Sequence, residues 1–509
     1  MKEKIKREGL RFFRYIMIKK RADVIAMLFL EMLFFVWLLC YFREYYFYIR
    51  LAFRLFSVFI SSFLIYGNKN PSYKQTWIFL MMLFPVFSVL FYLLTLLPPK
   101  TREKKKSEVR VSSSSNEYGA FTPLFRYLEA LGFPSFVGTS AVYFHNGADM
   151  IDALVREIKK AEHSIYLEYF IVEEGLVWDR VLSALTERAR YGVDIRIIID
   201  DMGCFSLHPR LYAASFLESG IKFAVFNPFR PFISSHHNNR DHRKLAVIDG
   251  AVAFTGGINL ADEYINESCP YNYFKDSAIM LKGEAAGGVE ALFLKTWCKL
   301  QKDEEDKPHL KRKTGAVREE REAEKGKTDG FFAPFIDSPA GSERVCRSLY
   351  SAIIGRARES VYISTPYLVP DDMLSDSLIC CAKSGIDVRI IVPYEPDKKT
   401  VKACGCSYYE RLISSGVRIF EYEGGFNHAK IICSDGEAAI IGSTNLDYRS
   451  MHLNYEGGVL IYKSSVISEI YSDLSGMMLA SREIKEGDLK KDLISRLYFC
   501  ILRLFSPFM

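Results

Sequence analysis

The sequence predicts an α/β protein of two similar lobes, each a mixed sheet flanked by helices, related by a pseudo-twofold axis and preceded by an α-helical transmembrane region. Three observations lead there: a strongly apolar first hundred residues, a strand–helix–strand unit that occurs twice, and a matching His-Lys-Asp motif in each copy. The length of 509 residues fits two to four domains. A net charge of +6 lacks the strong, clustered basic excess of nucleic-acid-binding proteins, so no nucleic-acid partner is expected. The eleven Cys form no C-x-x-C pair, which argues against zinc or thioredoxin-type sites. Their odd number fits reduced thiols in a cytoplasmic compartment.

Residues 1–98 read as a membrane region with two or three transmembrane helices. Val24–Phe42 carries one charge, Glu31, and Trp77–Leu97 carries none. Each is long enough to cross a hydrocarbon core of roughly 30 Å. Tyr45–Tyr66 is apolar but contains Arg50 and Arg54, and reads as a third span or an interfacial helix. Basic residues crowd both the N-terminus (Lys2 to Arg21) and the stretch after Leu97 (Lys100, Arg102, Lys104, Lys105, Lys106). The positive-inside rule assigns both to the cytoplasm, which requires an even number of spans. The expected location is therefore a multi-pass cell-membrane protein with its lobes at the cytoplasmic face.

A basic, Ser-rich linker is expected at 99–118, a first lobe at 119–300, a charged linker at 301–329 and a second lobe at 330–488. The lobes rest on the repeat. HSIYLEYF…GVDIRIIID (His163–Asp200) and ESVYISTPY…GIDVRIIVP (Glu359–Pro393) are each an apolar strand, an amphipathic helix, a glycine turn and a second apolar strand. Continuous apolar strands alternating with helices mark a sheet covered on both faces. Leu489–Met509 is a basic amphipathic helix, either lying on a membrane surface or packed against a lobe.

DHRKLAVID (Asp241–Asp249) and NHAKIICSD (Asn427–Asp435) both satisfy H-x-K-x4-D. Each is followed, after six residues, by a G-[GS]-x-N turn: Gly256, Gly257 and Asn259, then Gly442, Ser443 and Asn445. One such motif is weak evidence, but two at equivalent places of a repeat are strong. Residues i and i+2 of a strand share a face, so His242 with Lys244, and His428 with Lys430, converge. A lysine offers fixed charge to a phosphate oxygen, and the Asn amides and turn N–H groups of Gly257 and Ser443 offer further donors. Two histidines in one pocket suit phosphoryl transfer, one attacking phosphorus while the other exchanges protons.

Each histidine also needs its tautomer fixed. Asp276 and Glu456 align after the motifs and are expected to accept from the Nδ1–H of the two histidines. His236 and His237 either line the substrate mouth or are solvated loop residues. Glu168 and Thr365-Pro366, at matching strand ends, are expected to line the pocket. His452 reads as a structural neighbour and Cys433 as buried packing. With two lysines available, the chemistry is expected to need no metal and no cofactor.

The duplicated H-x-K-x4-D with G-[GS]-x-N resembles the signature of the phospholipase D superfamily. NPSYKQTWIFLMMLFPVFSVLFYLL (Asn70–Leu94), the EYFI strand at Glu168–Ile171 and TPYLVPD at Thr365–Asp371 are similar to the bacterial cardiolipin synthases of that superfamily. The charged insert at 302–327 departs from the family's compact lobe junction. The resemblance implies transfer of a phosphatidyl group from one phosphatidylglycerol to a second, with membrane phospholipids as partners. It implies His242 as nucleophile, His428 as acid–base, and Lys244, Lys430, Asn259 and Asn445 on the phosphate. Asp249 and Asp435, counted with the catalytic set, would order the motif turns or orient a histidine of the other lobe. A hydrolytic phospholipase D, with water as acceptor, would use the same residues.

Overall fold

The computed structural model describes residues 45–67, 70–95, 119–204, 216, 219–228, 238–301, 329–341, 343–489 and 492–508. The expected span Val24–Phe42, the linker residues 99–118, the charged stretch 302–327, and His236 and His237 lie outside the described residues. The chain divides into two compact units, Met1–Leu96 and Leu97–Met509.

In the first unit α1 (Tyr46–Tyr66), α2 (Pro71–Leu83) and α3 (Pro85–Thr95) gather around Ile60, Leu64, Trp77, Met81, Val89 and Tyr92. Many other large apolar side chains, Leu55, Phe59, Phe63, Met82 and Phe87 among them, point outward. No described helix is both long and apolar enough to cross a membrane. The single span expected over Trp77–Leu97 is broken, because Pro85 has no N–H to continue the ladder and its ring excludes a straight helix. Phe84, at φ −130° and ψ 67°, takes up the break. The pieces, 13 and 11 residues, are about 20 and 17 Å long, well short of a bilayer core.

The second unit holds both copies of the repeat. After α4 (Thr122–Ala130), the first copy contains β1 (Thr139–Phe144), α5 (Gly147–Lys160), β2 (Ser164–Tyr169), α6 (Leu176–Arg190), β3 (Asp194–Asp200) and β4 (Lys222–Phe226). It continues with β5 (Lys244–Ile248), β6 (Val252–Gly256), β7 (Phe274–Lys275), β8 (Ala278–Gly283) and α7 (Glu284–Gln301). The second copy contains β9 (Phe331–Asp337), α8 (Val345–Ile354), β10 (Ser360–Ser364), β11 (Leu368–Val369), α9 (Asp372–Lys383), β12 (Asp387–Pro393), α10 (Lys399–Ile413), β13 (Arg418–Tyr422) and β14 (Phe426–Asn427). It ends with β15 (Ile431–Ser434), β16 (Ala438–Gly442), β17 (Leu446–Asp447), α11 (Tyr448–His452), β18 (Glu456–Tyr462), α12 (Val466–Leu479), β19 (Ser481–Ile484) and α13 (Leu493–Leu504).

Among the described residues the sheet orders are β1-β8-β6-β5-β2-β3-β4 and β9-β18-β16-β15-β10-β12-β13-β19. Apart from the added β19, they match strand for strand. Both sheets are mixed: β2-β3-β4 and β10-β12-β13 are parallel, with α6 between β2 and β3 and α9 and α10 in the connections of the second copy, while the motif strands run antiparallel to β2 and β10. Each motif strand is buried on both faces, with Leu245 and Val247, or Ile431 and Cys433, turned into a core shared by the two sheets. Ala246, Ile248 and Ile432 face the outer cores of their own lobes. The shared core, with α7 and α12 in it, joins the two lobes as one folded body.

Candidate active site

Each motif is a strand that leaves a cross-lobe contact and ends in a hairpin turn. His242 and His428 precede β5 and β15 and are held by backbone bonds to the opposite lobe. The His242 N–H donates to Tyr455 O at 2.9 Å, and the His428 N–H donates to Lys275 O at 2.7 Å. These two carbonyls belong to the residues just before Glu456 and Asp276. The same register puts the carboxylates against the imidazoles. His242 Nδ1 lies 3.1 Å from both Glu456 oxygens, and His428 Nδ1 lies 2.6 Å from Asp276 Oδ2. Each histidine therefore meets a carboxylate of the other lobe. A two-residue ladder between β7 and β14, and a bridge between Asp241 and Tyr455, fix that pairing.

The carboxylates are held in turn. Ser443 Oγ and Asn454 Nδ2 donate to Glu456. The Ser277 N–H donates to Asp276 Oδ1 at 2.7 Å. Burial opposes charge on Glu456, yet His242, Lys244 and the Ser443 hydroxyl together hold it below the usual carboxylate range. With Nδ1–H donated to a carboxylate, each imidazole presents Nε2 as a lone pair. Burial, with the nearby lysines, lowers His242 to about 4 and His428 to about 3, so both rings are neutral in the empty site.

Lys244 and Lys430 fold back on their own motifs, each Nζ donating to the carbonyl of its histidine, at 2.5 Å for Lys244. Both are buried, and burial is the main cause that lowers Lys244 to about 7 and Lys430 to about 8. Each lysine also acts electrostatically on the histidine of the opposite lobe. The four groups thus converge on one centre. Among the described residues, no three His, Cys, Asp or Glu side chains are grouped to hold a metal ion.

A model of the family "Cardiolipin synthase, PLD-like domain" matches residues 154–297 and 350–478, more than half of the chain and one motif in each segment. The chain belongs to this family. A protein named cardiolipin synthase from Geobacillus kaustophilus is 32% identical over 88% of this chain and 91% of its own length. One from Alkalihalophilus pseudofirmus is 30% identical over 90% and 93%. An uncharacterized protein of Streptococcus mutans is 35% identical over 85% and 95%. Phosphatidylserine synthase from Haemophilus influenzae shares the fold, with a TM-score of 0.54, 15% identity, and coverage of 72% of this chain and 95% of that one.

Within this family framework several expected positions turn out differently. Asp249 and Asp435, counted with the catalytic set and expected to order the motif turns or to orient a histidine, occupy the turns: they close the far ends of the motif strands, about 17 Å along the strand from the lysines. Each is the first central residue of a tight turn with its following glycine, at φ 52° and 62° in one lobe and 56° and 64° in the other. The Asp249 carboxylate accepts the N–H groups of Glu162, His163 and Ser164; the Asp435 carboxylate accepts those of Arg358, Glu359 and Ser360. They tie a hairpin to the start of β2 or β10 and hydrogen-bond neither His242 nor His428. The turn N–H groups of Gly257 and Ser443, expected on phosphate, already donate to Ser277 O and Gly457 O. Gly257 serves instead as space: a Cβ there would stand 2.1 Å from Asp276 Oδ1.

Asn259 is engaged on both sides, accepting from Ile171 N–H at 3.1 Å and donating to the Tyr264 hydroxyl at 2.5 Å. Asn445 differs: its Oδ1 is buried and accepts no hydrogen bond from the described residues. Glu168, expected to line the pocket, is fully buried and pairs with Arg243 at 2.6 Å. Thr365 is likewise internal, bonding Tyr367 O and Leu446 N–H. His452 sits 2.9 Å from Asp371, the N-cap of α9, and Cys433 is buried in β15.

Sequence reasoning passed over Arg243, which occupies the variable position of H-x-K. It forks onto Asp241 and reaches Glu168 and Thr296 behind His242. The second lobe has Asn427, Ala429 and Ser364 at the equivalent places, joined by neutral hydrogen bonds. The only signal for this was the difference between DHRK and NHAK.

Proposed function

We propose that this chain is a cardiolipin synthase, which transfers the phosphatidyl group of one phosphatidylglycerol to another and releases glycerol. One observation carries the reading: two imidazoles from different lobes, each fixed at Nδ1 by a carboxylate of the opposite lobe, with a buried lysine beside each. Membership of a family whose relatives bear that name supports it.

In the first step His242 Nε2 attacks phosphorus. The N–P bond forms as the bond to the glycerol oxygen breaks, and the leaving oxygen takes a proton from His428. His428, now neutral, removes the proton from a glycerol hydroxyl of the second phosphatidylglycerol. That oxygen attacks phosphorus and the N–P bond breaks, which restores both histidines. His428 must be protonated for the first step. Burial first, then Lys430 and Lys244, depress it in the empty site, and an anionic phosphodiester between the lysines offsets the lysines' field. Lys244, Lys430 and the Asn445 amide would hold the phosphate oxygens. The outward apolar side chains of the helices within Tyr46–Thr95 support attachment to the cell membrane; a multi-pass arrangement with the catalytic lobes at the cytoplasmic face would keep both lipids in the bilayer.

Purified protein in detergent, given labelled phosphatidylglycerol without nucleotide or added metal, is expected to yield cardiolipin and glycerol in equal amounts. Phosphatidic acid as sole product would assign a hydrolase that uses the same residues.

A further inference from the structure

The C-terminal helix α13 is secured on one side only. It runs antiparallel to α10, with Arg496 3.4 Å from Glu410, Leu502 O accepting from the Cys404 thiol, and the Arg503 guanidinium 4.5 Å over the Tyr408 ring. Leu502 packs against the core of the second lobe. The turn that follows, Ser506–Phe508, packs on α11, the helix that begins three residues after Asn445. The helix is thus preformed, and the turn at its C-terminal end packs on the helix that follows the motif turn of the second lobe.

The other side of α13 is bare. Leu493, Ile494, Leu497, Tyr498 and Ile501 are 82%, 82%, 62%, 47% and 49% exposed. Their spacing places them within an arc of about 140° on one face. Elsewhere in the second unit, large exposed apolar residues such as Leu176, Tyr191 and Leu479 are spread singly along the chain. A continuous apolar stripe on a fixed helix marks a contact surface. Its charge selects the occupant. Lys490 and Lys491 precede the helix in the sequence, opposed there by Asp492 alone, while Arg496 and Arg503 are turned to the lobe; a basic entry to an apolar stripe suits a surface that is apolar beneath and anionic at its headgroups.

We propose that α13 docks the second lobe onto an anionic phospholipid bilayer, its apolar face entering the headgroup boundary. The choice of lipid rests on the phosphatidyl-transfer reading. In that setting the helix would hold the active-site edge of the lobe where a second phosphatidylglycerol can reach it from the membrane.

Two measurements on the full-length protein test this. Tyr498→Trp protein, reconstituted in vesicles of brominated phosphatidylglycerol, is expected to show more fluorescence quenching than wild type. Equal quenching would overturn the proposal. Ile494→Glu/Leu497→Glu changes side chains that are mostly exposed, and is expected to raise KM for phosphatidylglycerol in vesicles by about tenfold. Turnover of a short-chain, monomeric phosphatidylglycerol should stay at the wild-type rate. An unchanged vesicle KM overturns docking. So does an altered oligomer mass in detergent without a quenching difference, which would assign the face to a second copy. If wild type makes no cardiolipin from either substrate, the functional reading fails, while the quenching result still decides the docking.

Discussion

His242 and His428 have the same partners in kind but different surroundings. His242 shares its Nδ1 proton between two Glu456 oxygens at 3.1 Å, whereas His428 has a single 2.6 Å contact to Asp276. Removing charge from either carboxylate while keeping its shape isolates this role. Glu456→Gln and Asp276→Asn should each lower kcat about 10–100-fold with little change in KM, because the imidazole loses its tautomer and not its place. Steady-state kinetics on phosphatidylglycerol checks this. The pH profile follows from burial. With Lys244 at about 7 and Lys430 at about 8, the positive charge of the empty site is lost as pH rises through that range, so kcat/KM should fall there. A bound phosphodiester restores the ammonium form, so kcat should hold to higher pH. With the imidazoles at about 4 and 3, the nucleophile stays unprotonated down to about pH 4, and the acid limb should lie well below the usual histidine range.

At the scale of the element, the motif divides into two functions. The His and Lys face the site, while the Asp five residues later belongs to the Asp-Gly turn that the hairpin twist requires. Asp249→Asn and Asp435→Asn keep a residue that tolerates positive φ but weaken the acceptor for three N–H groups. Each should cost about 1–2 kcal/mol in denaturant titration, with kcat of the folded protein unchanged within about twofold. The motif was legible in the sequence because period-2 faces and Asp-Gly turns are local. The two sheets were legible because apolar strands alternate with helices in both copies. The engagement of the Gly257 and Ser443 N–H groups was not, since it depends on β8 and β18, which pair from farther along the chain. Pro85 was visible in the sequence, but an apolar stretch counted only for length hid its effect on Trp77–Leu97.

At the scale of the molecule, the site exists only where the lobes meet. Asp276 and Glu456 could be aligned from the repeat, but which histidine each would meet is a property of the cross-lobe ladder. Arg243 also lies on that junction, over the Tyr455 ring and against Gly457, with Asp241 and Glu168 as its counter-charges. Arg243→Met would leave two buried carboxylates unpaired and should cost about 3–5 kcal/mol. Because the lobes share a core, hydrogen exchange should show both losing protection in one transition, at a lower denaturant concentration than wild type. The most direct test of the two-histidine account is to quench the reaction in alkali with phosphatidylglycerol labelled at phosphorus, and to map the labelled peptide. The account predicts covalent label on the peptide containing His242, absent from His242→Ala, with cardiolipin formation lost in both His242→Ala and His428→Ala. Full turnover with no covalent label, or unchanged cardiolipin formation in His428→Ala, would contradict it.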